Sequence, residues 1–446
     1  MNKGSNFQLV VLAFFGVILV AGVLLFAGFG GGGGLGGAGR GATLTLWGTV
    51  PDSVMAPLLN TFSQEYQDSI GQVLYEEKRA DSFESDLVNA LASGKGPDMV
   101  IIPQGLLVRQ ADKLLPLSYE QFTQRKYLDA YTDGSDIFLT NNGILALPLS
   151  VDPVVLYWNK QLFSGAGLTS PPRFWDELLT LPEKLVVKDV RGTISQAAIS
   201  LGGYRNVTRA KETLSSLFLQ VGDSITEPVF SEAGLGVNPV LGDSAARGAG
   251  PAESALRFYV QFADPAKAVY SWNSALPQSR DLFARGSLAM YVGVASDLAA
   301  IQSANPHLSF DVAPLPQVRP VSGGQPNARV YGNYGALAVL RAGKNPALSM
   351  QAAFLLSTTN YAEAYARALG LAPARRDLLS QNTSGNALRA VVFKAALNAH
   401  GWLDPSPLGT DAIFRSMVES LVSGGITERQ ALSEARADMS ALGQQR

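Results

Sequence analysis

The hydrophobic positions of the chain follow two alternating spacings, and these spacings predict its elements. Apolar and polar residues alternate over 43–47, which is typical of a strand. Helical spacing follows over 51–66, a second strand pattern over 73–77, a helix pattern from 83, and a third strand over 97–102. This alternation predicts an α/β fold in which a mostly parallel, doubly wound sheet carries helices on its faces.

The segment 143–167 breaks this regular order. One apolar run ends at Pro148, and a second begins after Pro153. Proline fixes its own φ and restricts the residue before it, so we expect Asp152 to be extended and the strand to be interrupted there. We interpret the segment as a crossing between two lobes, with 148–153 as the hinge and Asp152 facing the cleft.

The length of the chain, 446 residues, exceeds what one hydrophobic core normally supports, so two lobes are expected. From 346 onwards the spacing predicts mainly helices. Residues 222–251 are rich in Gly, Pro, Ser and Asp, which predicts a long surface loop. Each lobe is assigned two segments of chain: 43–150 and 296–342 for the first lobe, and 151–295 and 343–446 for the second.

The N-terminal segment 7–29 is almost purely apolar, and no charged residue lies between Lys3 and Arg40. As a helix it would span about 35 Å, enough for a bilayer core. Because Lys3 precedes it, the positive-inside rule places the body of the protein outside the cytoplasm. We therefore expect 1–29 to be an uncleaved membrane anchor. A signal peptide that is removed on secretion is the alternative. The Gly-rich residues 30–42 are predicted to be a flexible linker.

Charge and rare residues limit the chemistry. The 35 Lys and Arg residues are scattered and balanced by 37 Asp and Glu residues, so no nucleic-acid partner is expected. The absence of cysteine excludes disulfides, thiolate catalysis and a lipid-modified Cys. His307 and His400 lack partners at metal-ligand spacing, and no catalytic motif is present. These absences favour a protein that is not an enzyme and that has no metal or cofactor. We expect the protein to be a monomer.

Several sequence blocks occur in an order that resembles a known family. These are Leu-Thr-Leu-Trp-Gly at 44–48, Gly-Lys-Gly-Pro-Asp-Met-Val at 94–100, Leu-Tyr-Trp-Asn-Lys at 156–160, Phe-Ala-Arg-Gly-Ser-Leu-Ala-Met at 283–290 and Gly-Leu-Ala-Pro at 370–373. The chain resembles extracellular solute-binding proteins of ABC importers, in the maltose- and sugar-binding group with the type II periplasmic-binding-protein fold. The resemblance implies two lobes that close on a ligand by hinge motion and then dock on a membrane permease. The family's usual lipid-anchoring Cys is missing.

Sugars offer hydroxyls to polar groups and C–H faces to aromatic rings. Among the tryptophans, Trp158 is expected in the core, and Arg375 is expected in a surface ion pair rather than on an acidic ligand. Each polar candidate could also serve as turn or cap chemistry. The candidate ligand-binding residues are Trp47, Trp272 and Trp402 for stacking, and Gln104, Asp152, Asn333 and Tyr334 for hydrogen bonding.

The leading hypothesis is a membrane-tethered receptor that delivers a sugar or oligosaccharide to an ABC permease. One alternative is a tethered sensor that presents its bound ligand to a signalling partner. The other is an extracellular carbohydrate-active enzyme, because a pair of catalytic carboxylates cannot be recognised from one sequence.

Overall fold

The protein is described here by a computed structural model that covers residues 42–231, 234–243, 250–320, 328–380 and 386–443. The expected anchor (1–29) and nearly all of the expected linker (30–42) lie outside these residues. Within the described ranges, no helix combines the length and the apolar character needed to cross a membrane.

The strands alternate with helices through most of the chain, in agreement with the predicted fold class. The strands are β1 (Thr43–Gly48), β2 (Gln72–Glu77), β3 (Met99–Pro103), β4 (Leu114–Leu115), β5 (Leu139–Thr140), β6 (Gly143–Ile144), β7 (Leu147–Asn159), β8 (Val187–Lys188), β9 (Ile194–Ile199), β10 (Thr226–Ser231), β11 (Gly234–Pro239), β12 (Leu288–Val294), β13 (Phe310–Ala313), β14 (Val330–Leu340), β15 (Ala372–Pro373) and β16 (Ala399–His400).

The α-helices include several short ones that connect longer elements. They are α1 (Asp52–Glu65), α2 (Phe83–Ala92), α3 (Leu107–Gln110), α4 (Gln124–Ala130), α5 (Lys160–Gly165), α6 (Pro182–Leu185), α7 (Ala210–Gln220), α8 (Pro251–Val260), α9 (Ser279–Ala284), α10 (Asp297–Ala304), α11 (Pro346–Leu356), α12 (Thr359–Ala368), α13 (Arg376–Leu379), α14 (Ala387–Leu397), α15 (Pro407–Val422) and α16 (Glu428–Gly443). Short 3₁₀ helices cover Gln104–Leu106, Ala111–Lys113, Ser135–Phe138, Trp175–Thr180 and Gln261–Ala263.

Two long strands join the two lobes. In the first lobe the order is β2-β1-β3-β14-β7, and in the second it continues through β12, β9 and β8. β1 is parallel to β2 and β3, and β12 is parallel to β9, whereas β7 and β14 are antiparallel to each other, β14 is antiparallel to β3, and β7 is antiparallel to β12. Parallel strands in each half bring their carboxyl ends to the region between the lobes, where ligands bind in such sheets.

Strand β7 corrects the expectation of an interrupted crossing. It runs unbroken over 13 residues, although Pro148 and Pro153 lie within it. Pro153 stands where the strand exchanges its partner, because residues up to 153 pair with β14 and residues from 154 pair with β12. Pro148 lies at a register shift in β14. At both places the missing N–H falls outside a regular ladder, so the strand tolerates proline.

The expected long loop over 222–251 is also partly wrong. Residues 226–231 and 234–239 form the antiparallel strands β10 and β11, with Thr226 opposite Pro239. Gly, Pro and Ser in this stretch indicated a loop, but Leu235 packs into the core and gives this pair of strands a buried side. Tertiary packing outweighs weak local strand propensity here.

Two segments pack on the other lobe from the one expected. β13 pairs with the second-lobe half of β7, with Phe310 opposite Asn159, although 296–342 was assigned to the first lobe. Helices α11 and α12 were assigned to the second lobe but lie on the first, where Phe354 meets Phe122 and Tyr361 meets Phe62 edge-on. The sequence pattern shows which segments are buried, but not on which lobe.

The aspartate of the Gly-Pro-Asp block, Asp98, is a buried carboxylate with a structural role. Asp98 lies at the start of β3, and its Oδ2 accepts hydrogen bonds from the Thr45 amide (2.8 Å) and hydroxyl (2.9 Å). Its Oδ1 accepts a hydrogen bond from the Lys344 amide (2.8 Å). Asp98 therefore joins β1, β3 and the chain that follows β14, which fixes the first-lobe sheet.

Candidate functional site

The crossing strands β7 and β14 present a polar face between the lobes. Asp152 on β7 and Asn333 on β14 are directly opposite each other. Opposed residues of an antiparallel pair project from the same face of the sheet. Asn333 is exposed, whereas Asp152 is partly buried. The structure therefore brings these two predicted residues together and leaves one of them open to a ligand.

Gln104 joins this face from the first lobe. It begins the 3₁₀ helix that follows β3, and it is buried. Its Nε2 donates to the Tyr331 hydroxyl (2.8 Å), and its Oε1 accepts from the Tyr334 amide (3.1 Å). The Tyr331 amide in turn donates to Ser216 Oγ on α7 (2.9 Å). Gln104 thus links the carboxyl end of β3 to the part of β14 that contacts the second lobe.

Asp152 is held from the second lobe. Its Oδ1 accepts a hydrogen bond from the Ser296 amide (3.0 Å), and its Oδ2 accepts one from the Ser296 hydroxyl (2.6 Å). Loss of hydration raises the pKa of Asp152 to about 6, although Ser296 and the nearby positive charge of Arg209 act in the opposite direction. The pKa of Asp152 therefore lies closer to neutrality than that of an ordinary aspartate.

A second carboxylate lies one residue beyond Ser296. Asp297 is only 2% exposed and accepts hydrogen bonds from Arg209, the Tyr291 hydroxyl and the Val294 amide. Burial alone would raise the pKa of Asp297, but the hydrogen bonds and charge of Arg209 outweigh it and hold that pKa below its usual range. Glu212, on the first turn of α7, is the other acidic partner of Arg209 (3.4 Å).

Trp47 lies where expected, at the end of β1, but its ring is covered. The Lys78 ammonium lies 3.7 Å from the ring centroid, a cation–π distance. The parallel pairing of β1 with β2 explains this position, because the Lys78 amide donates to the Gly48 carbonyl (2.7 Å). A ligand that stacks on this face of Trp47 would have to displace Lys78.

The other two tryptophans proposed for stacking are packed within the protein. Trp272 has no exposed surface, and its indole N–H donates to Asn206 Oδ1 (3.0 Å). Trp402 stacks on Phe414 and donates to Ser215 Oγ (3.2 Å). Tryptophan in a loop suggested a ligand platform for each, but the second lobe uses both rings to fill its core. In this conformation neither offers a face to a ligand.

Tyr334 likewise points away from the cleft. Its hydroxyl donates to the Ala399 carbonyl (3.0 Å) and shares a hydrogen bond with Thr132 (2.8 Å). The period of two along β14 places Tyr331 and Asn333 on one face and Tyr334 on the other. Two secondary expectations agree with the structure, since Trp158 packs edge-on against Phe163 and Arg375 pairs with Asp377.

A third segment crosses between the lobes beside Gln104. β16 pairs with the start of β14, and Gly134 of the first lobe bridges to His400. Farther along, Asp404 binds Lys211 of α7 (2.6 Å). A Cβ on Gly401 would lie 2.6 Å from Gln104 Oε1, so a larger residue at 401 would have to displace the Gln104 side chain.

Sequence reasoning missed Tyr331, Ser296, Asp297 and Arg209. Ser-Asp at 296–297, directly after the mostly apolar run 288–295, was a usable signal, because it combines a strand end with helix-capping residues. Nothing comparable marks Arg209.

The assembled face offers amide, hydroxyl and carboxylate groups, which suit a ligand rich in hydroxyls. Among the described residues, no group of three or more His, Asp or Glu side chains is arranged to hold a metal ion.

Two lobes that share crossing strands, with polar groups at the carboxyl ends of their strands, define a solute-binding receptor class. The chain belongs to the family of bacterial extracellular solute-binding proteins, whose pattern it matches over residues 47–366. That family consists of binding proteins, in line with the expectation of a receptor rather than an enzyme.

Individual relatives are distant in sequence. The diacetylchitobiose binding protein DasA of Streptomyces coelicolor is 24% identical over 383 residues, covering 82% of this chain and 80% of DasA. A cyclo/maltodextrin-binding protein complexed with maltotetraose superposes with a TM-score of 0.71 at 17% identity, covering 90% of this chain and 96% of its own. The sugar-binding protein MalE of Xanthomonas citri gives a TM-score of 0.70 at 19% identity, covering 90% and 97%. These structures share the fold.

Proposed function

We propose that the protein is an extracytoplasmic receptor that binds an oligosaccharide between its lobes and delivers it to an ABC importer. The observation that carries the proposal is the polar face of β7 and β14 at the lobe crossing, in a chain of the solute-binding family. A relative named for diacetylchitobiose, and structural neighbours with bound maltotetraose and mannotriose, support carbohydrate as the ligand class. Because a ligand contacts both lobes only when they are closed, binding shifts the population towards closure.

Within the site, we assign direct ligand contact to Asn333, Asp152, Gln104 and Trp47. Asn333 is exposed and offers both donors and an acceptor. Asp152 retains acceptor capacity beyond its two bonds to Ser296. Gln104 and Trp47 lie on the first-lobe side at the carboxyl ends of β3 and β1, and both are buried in this conformation, so they contact the ligand only after the side chains that cover them, such as Lys78, move. We assign Trp272, Trp402 and Tyr334 to packing within the protein rather than to ligand contact.

We further propose that 7–29 anchors a monomeric receptor in the membrane and that 30–42 acts as a tether. The closed form would dock on the transmembrane subunits of a permease. Membrane extraction at alkaline pH tests the anchor, with a variant lacking residues 1–41 as the control. Release of the full chain in the same fraction as this variant would contradict an uncleaved anchor.

The binding proposal is tested by thermal shift on the purified chain. Maltotetraose, mannotriose and diacetylchitobiose are compared with amino acids, short peptides and polyamines. A bound ligand stabilises the native state by mass action, by about 2.7 kcal/mol at a hundredfold excess over Kd. We expect at least one oligosaccharide to raise Tm in the wild type and to raise it less in Asn333→Ala. A shift from another ligand class alone would overturn the oligosaccharide assignment.

A further inference from the structure

The backbone at the start of α7 is unusual at one residue. Among the described residues other than glycine, Arg209 alone has a positive φ, 70° with ψ 30°. This left-handed region is uncommon for residues with long side chains, because Cβ crowds the backbone. Such a conformation persists only where its surroundings hold it, and it often marks a position with a specific task.

Contacts on both sides hold this conformation in place. Before Arg209, the Thr208 amide donates to Ser279 Oγ (2.8 Å). After it, the Ala210 amide donates to the Val207 carbonyl (3.1 Å), and the Arg209 carbonyl accepts the first helical bond, from Thr213 (2.9 Å). These hydrogen bonds fix the backbone of Arg209 and therefore the direction in which its side chain projects.

The guanidinium of Arg209 donates two hydrogen bonds to the buried carboxylate of Asp297. Nη2 lies 3.0 Å from Asp297 Oδ1, and Nε lies 3.2 Å from Oδ2. A forked pair of this kind fixes orientation as well as charge. Asp297 in turn accepts the Val294 amide (3.1 Å), which shapes the turn between β12 and α10.

Through that turn, the second lobe contacts the crossing strand β7. Val294 pairs with Val154, the Ala295 amide donates to the Pro153 carbonyl (3.0 Å), and Ser296 binds Asp152 through its amide and hydroxyl. Three consecutive residues of the turn thus hold three consecutive residues of β7, at the point where the strand passes from one lobe to the other.

We propose that Arg209 is the positioning residue of the hinge: by fixing Asp297 it fixes the turn 294–296, on which the crossing strand and Asp152 rest. This inference rests on the proposed receptor function, in which movement at this crossing closes the lobes. Arg209 acts through Asp297 and need not touch the ligand.

The Arg209→Gly variant separates this role from folding. Glycine adopts φ 70° without strain, and Arg280 Nη1, 3.5 Å from Asp297 Oδ1, leaves that carboxylate a cation. Arg209→Lys keeps the charge but not the fork. Arg205→Ala is the matched control, because it removes an exposed arginine–glutamate pair from the same loop without touching the turn.

The first readout is the distance between the lobes without ligand. The chain has no cysteine, so Lys95→Cys and Arg191→Cys, at exposed positions on the first and second lobes, can be spin-labelled specifically. Pulsed electron–electron double resonance should give a broader distribution of distances between the two labels in Arg209→Gly than in the wild type. Arg205→Ala should leave the distribution unchanged, and Arg209→Lys should lie between.

The second readout is the titration of Asp152, followed by carbon NMR of labelled aspartate and assigned with Asp152→Asn. The charged groups that face Asp152 are Arg209 and Asp297, and it lies near the Tyr157 hydroxyl. Removing the cation should move the pKa of Asp152 upward from about 6, and Arg209→Lys should restore it in large part. A residue with a purely structural role would not produce this charge-dependent rescue.

The third readout is the affinity for maltotetraose, mannotriose and diacetylchitobiose. Whichever of them the wild type binds should bind about tenfold more weakly to Arg209→Gly. If none binds the wild type, the proposed ligand class fails, while the first two readouts still decide the role of Arg209. If Arg209→Gly does not fold, the distance distribution of Arg209→Lys decides alone. Wild-type distances in the folded variants, together with an unchanged Asp152 titration where Arg209→Gly folds, would overturn the inference.

Discussion

The titration of Asp152 gives a quantitative prediction for stability. The pKa of its carboxyl is raised from 3.8 to about 6 in the folded protein, so the native state binds this proton more tightly than the unfolded chain. Its contribution to stability is fully present below the unfolded pKa and is lost as pH rises through 6. Between pH 7.5 and pH 5.0 the wild type should therefore gain about 1.4 kcal/mol from this group.

Asp152→Asn removes the titration but keeps the shape of the side chain. Urea unfolding at several pH values gives the free energy of unfolding of both proteins. The free energy of unfolding of Asp152→Asn minus that of the wild type should be about 1.4 kcal/mol lower at pH 5.0 than at pH 7.5. Contributions of the two histidines cancel in this difference, because both proteins contain them.

Asp176→Asn serves as the control for this experiment. A hydrogen bond from Arg319 lowers the pKa of Asp176, so this carboxylate stays ionised over the whole range, and the difference from the wild type should not change with pH. A constant difference between Asp152→Asn and the wild type over the same range would refute the argument that burial at the crossing perturbs Asp152.

Three further substitutions test the placement of single residues. Trp272→Ala should lower the free energy of unfolding by about 3–5 kcal/mol in urea, since it empties a fully buried site, and the protein that remains folded should keep its ligand affinity. Gly401→Ala should cost about 1–3 kcal/mol and weaken ligand binding, because its methyl group displaces Gln104, while Gly165→Ala, which meets open space, should be neutral by thermal shift. Asn333→Ala should change stability by less than about 0.5 kcal/mol but weaken oligosaccharide binding about tenfold in calorimetry; equal affinity would remove Asn333 from the site.

The sequence was informative where one physical cause dominates. The period-two pattern at 43–47 and the buried run of β3 reflect burial of one or both sheet faces, so both strands were predicted. Asp152 was also predicted at the lobe crossing and Gln104 at a strand end, because strand ends and proline-restricted residues can be read from short segments. The two-lobe fold followed from the same local signals and from the family resemblance.

The sequence was misleading where distant contacts decide. Pro153 is tolerated within β7 because the strand changes partner there, and the partner strand β12 lies well over a hundred residues away in the chain. Trp272 fills a core whose walls include Gly203 and Asn206, which local pattern cannot bring together with it. Arg209 owes its role to Asp297, 88 residues farther along. Positive φ at an arginine has no sequence signature.

The two acidic residues at the crossing have different roles: Asp297 fixes the turn at the hinge, and Asp152 is available to a ligand. Asp297 is almost fully buried, and hydrogen bonds from Arg209, Tyr291 and Val294 keep it charged, so it holds its turn without regard to the ligand. Asp152 is poorly compensated by comparison, since Ser296 supplies neutral donors and Arg209 acts only at a distance. A ligand hydroxyl that donates to Asp152 would stabilise its charged form. Binding should then lower the pKa of Asp152, and ligand affinity should rise from pH 5 to pH 7.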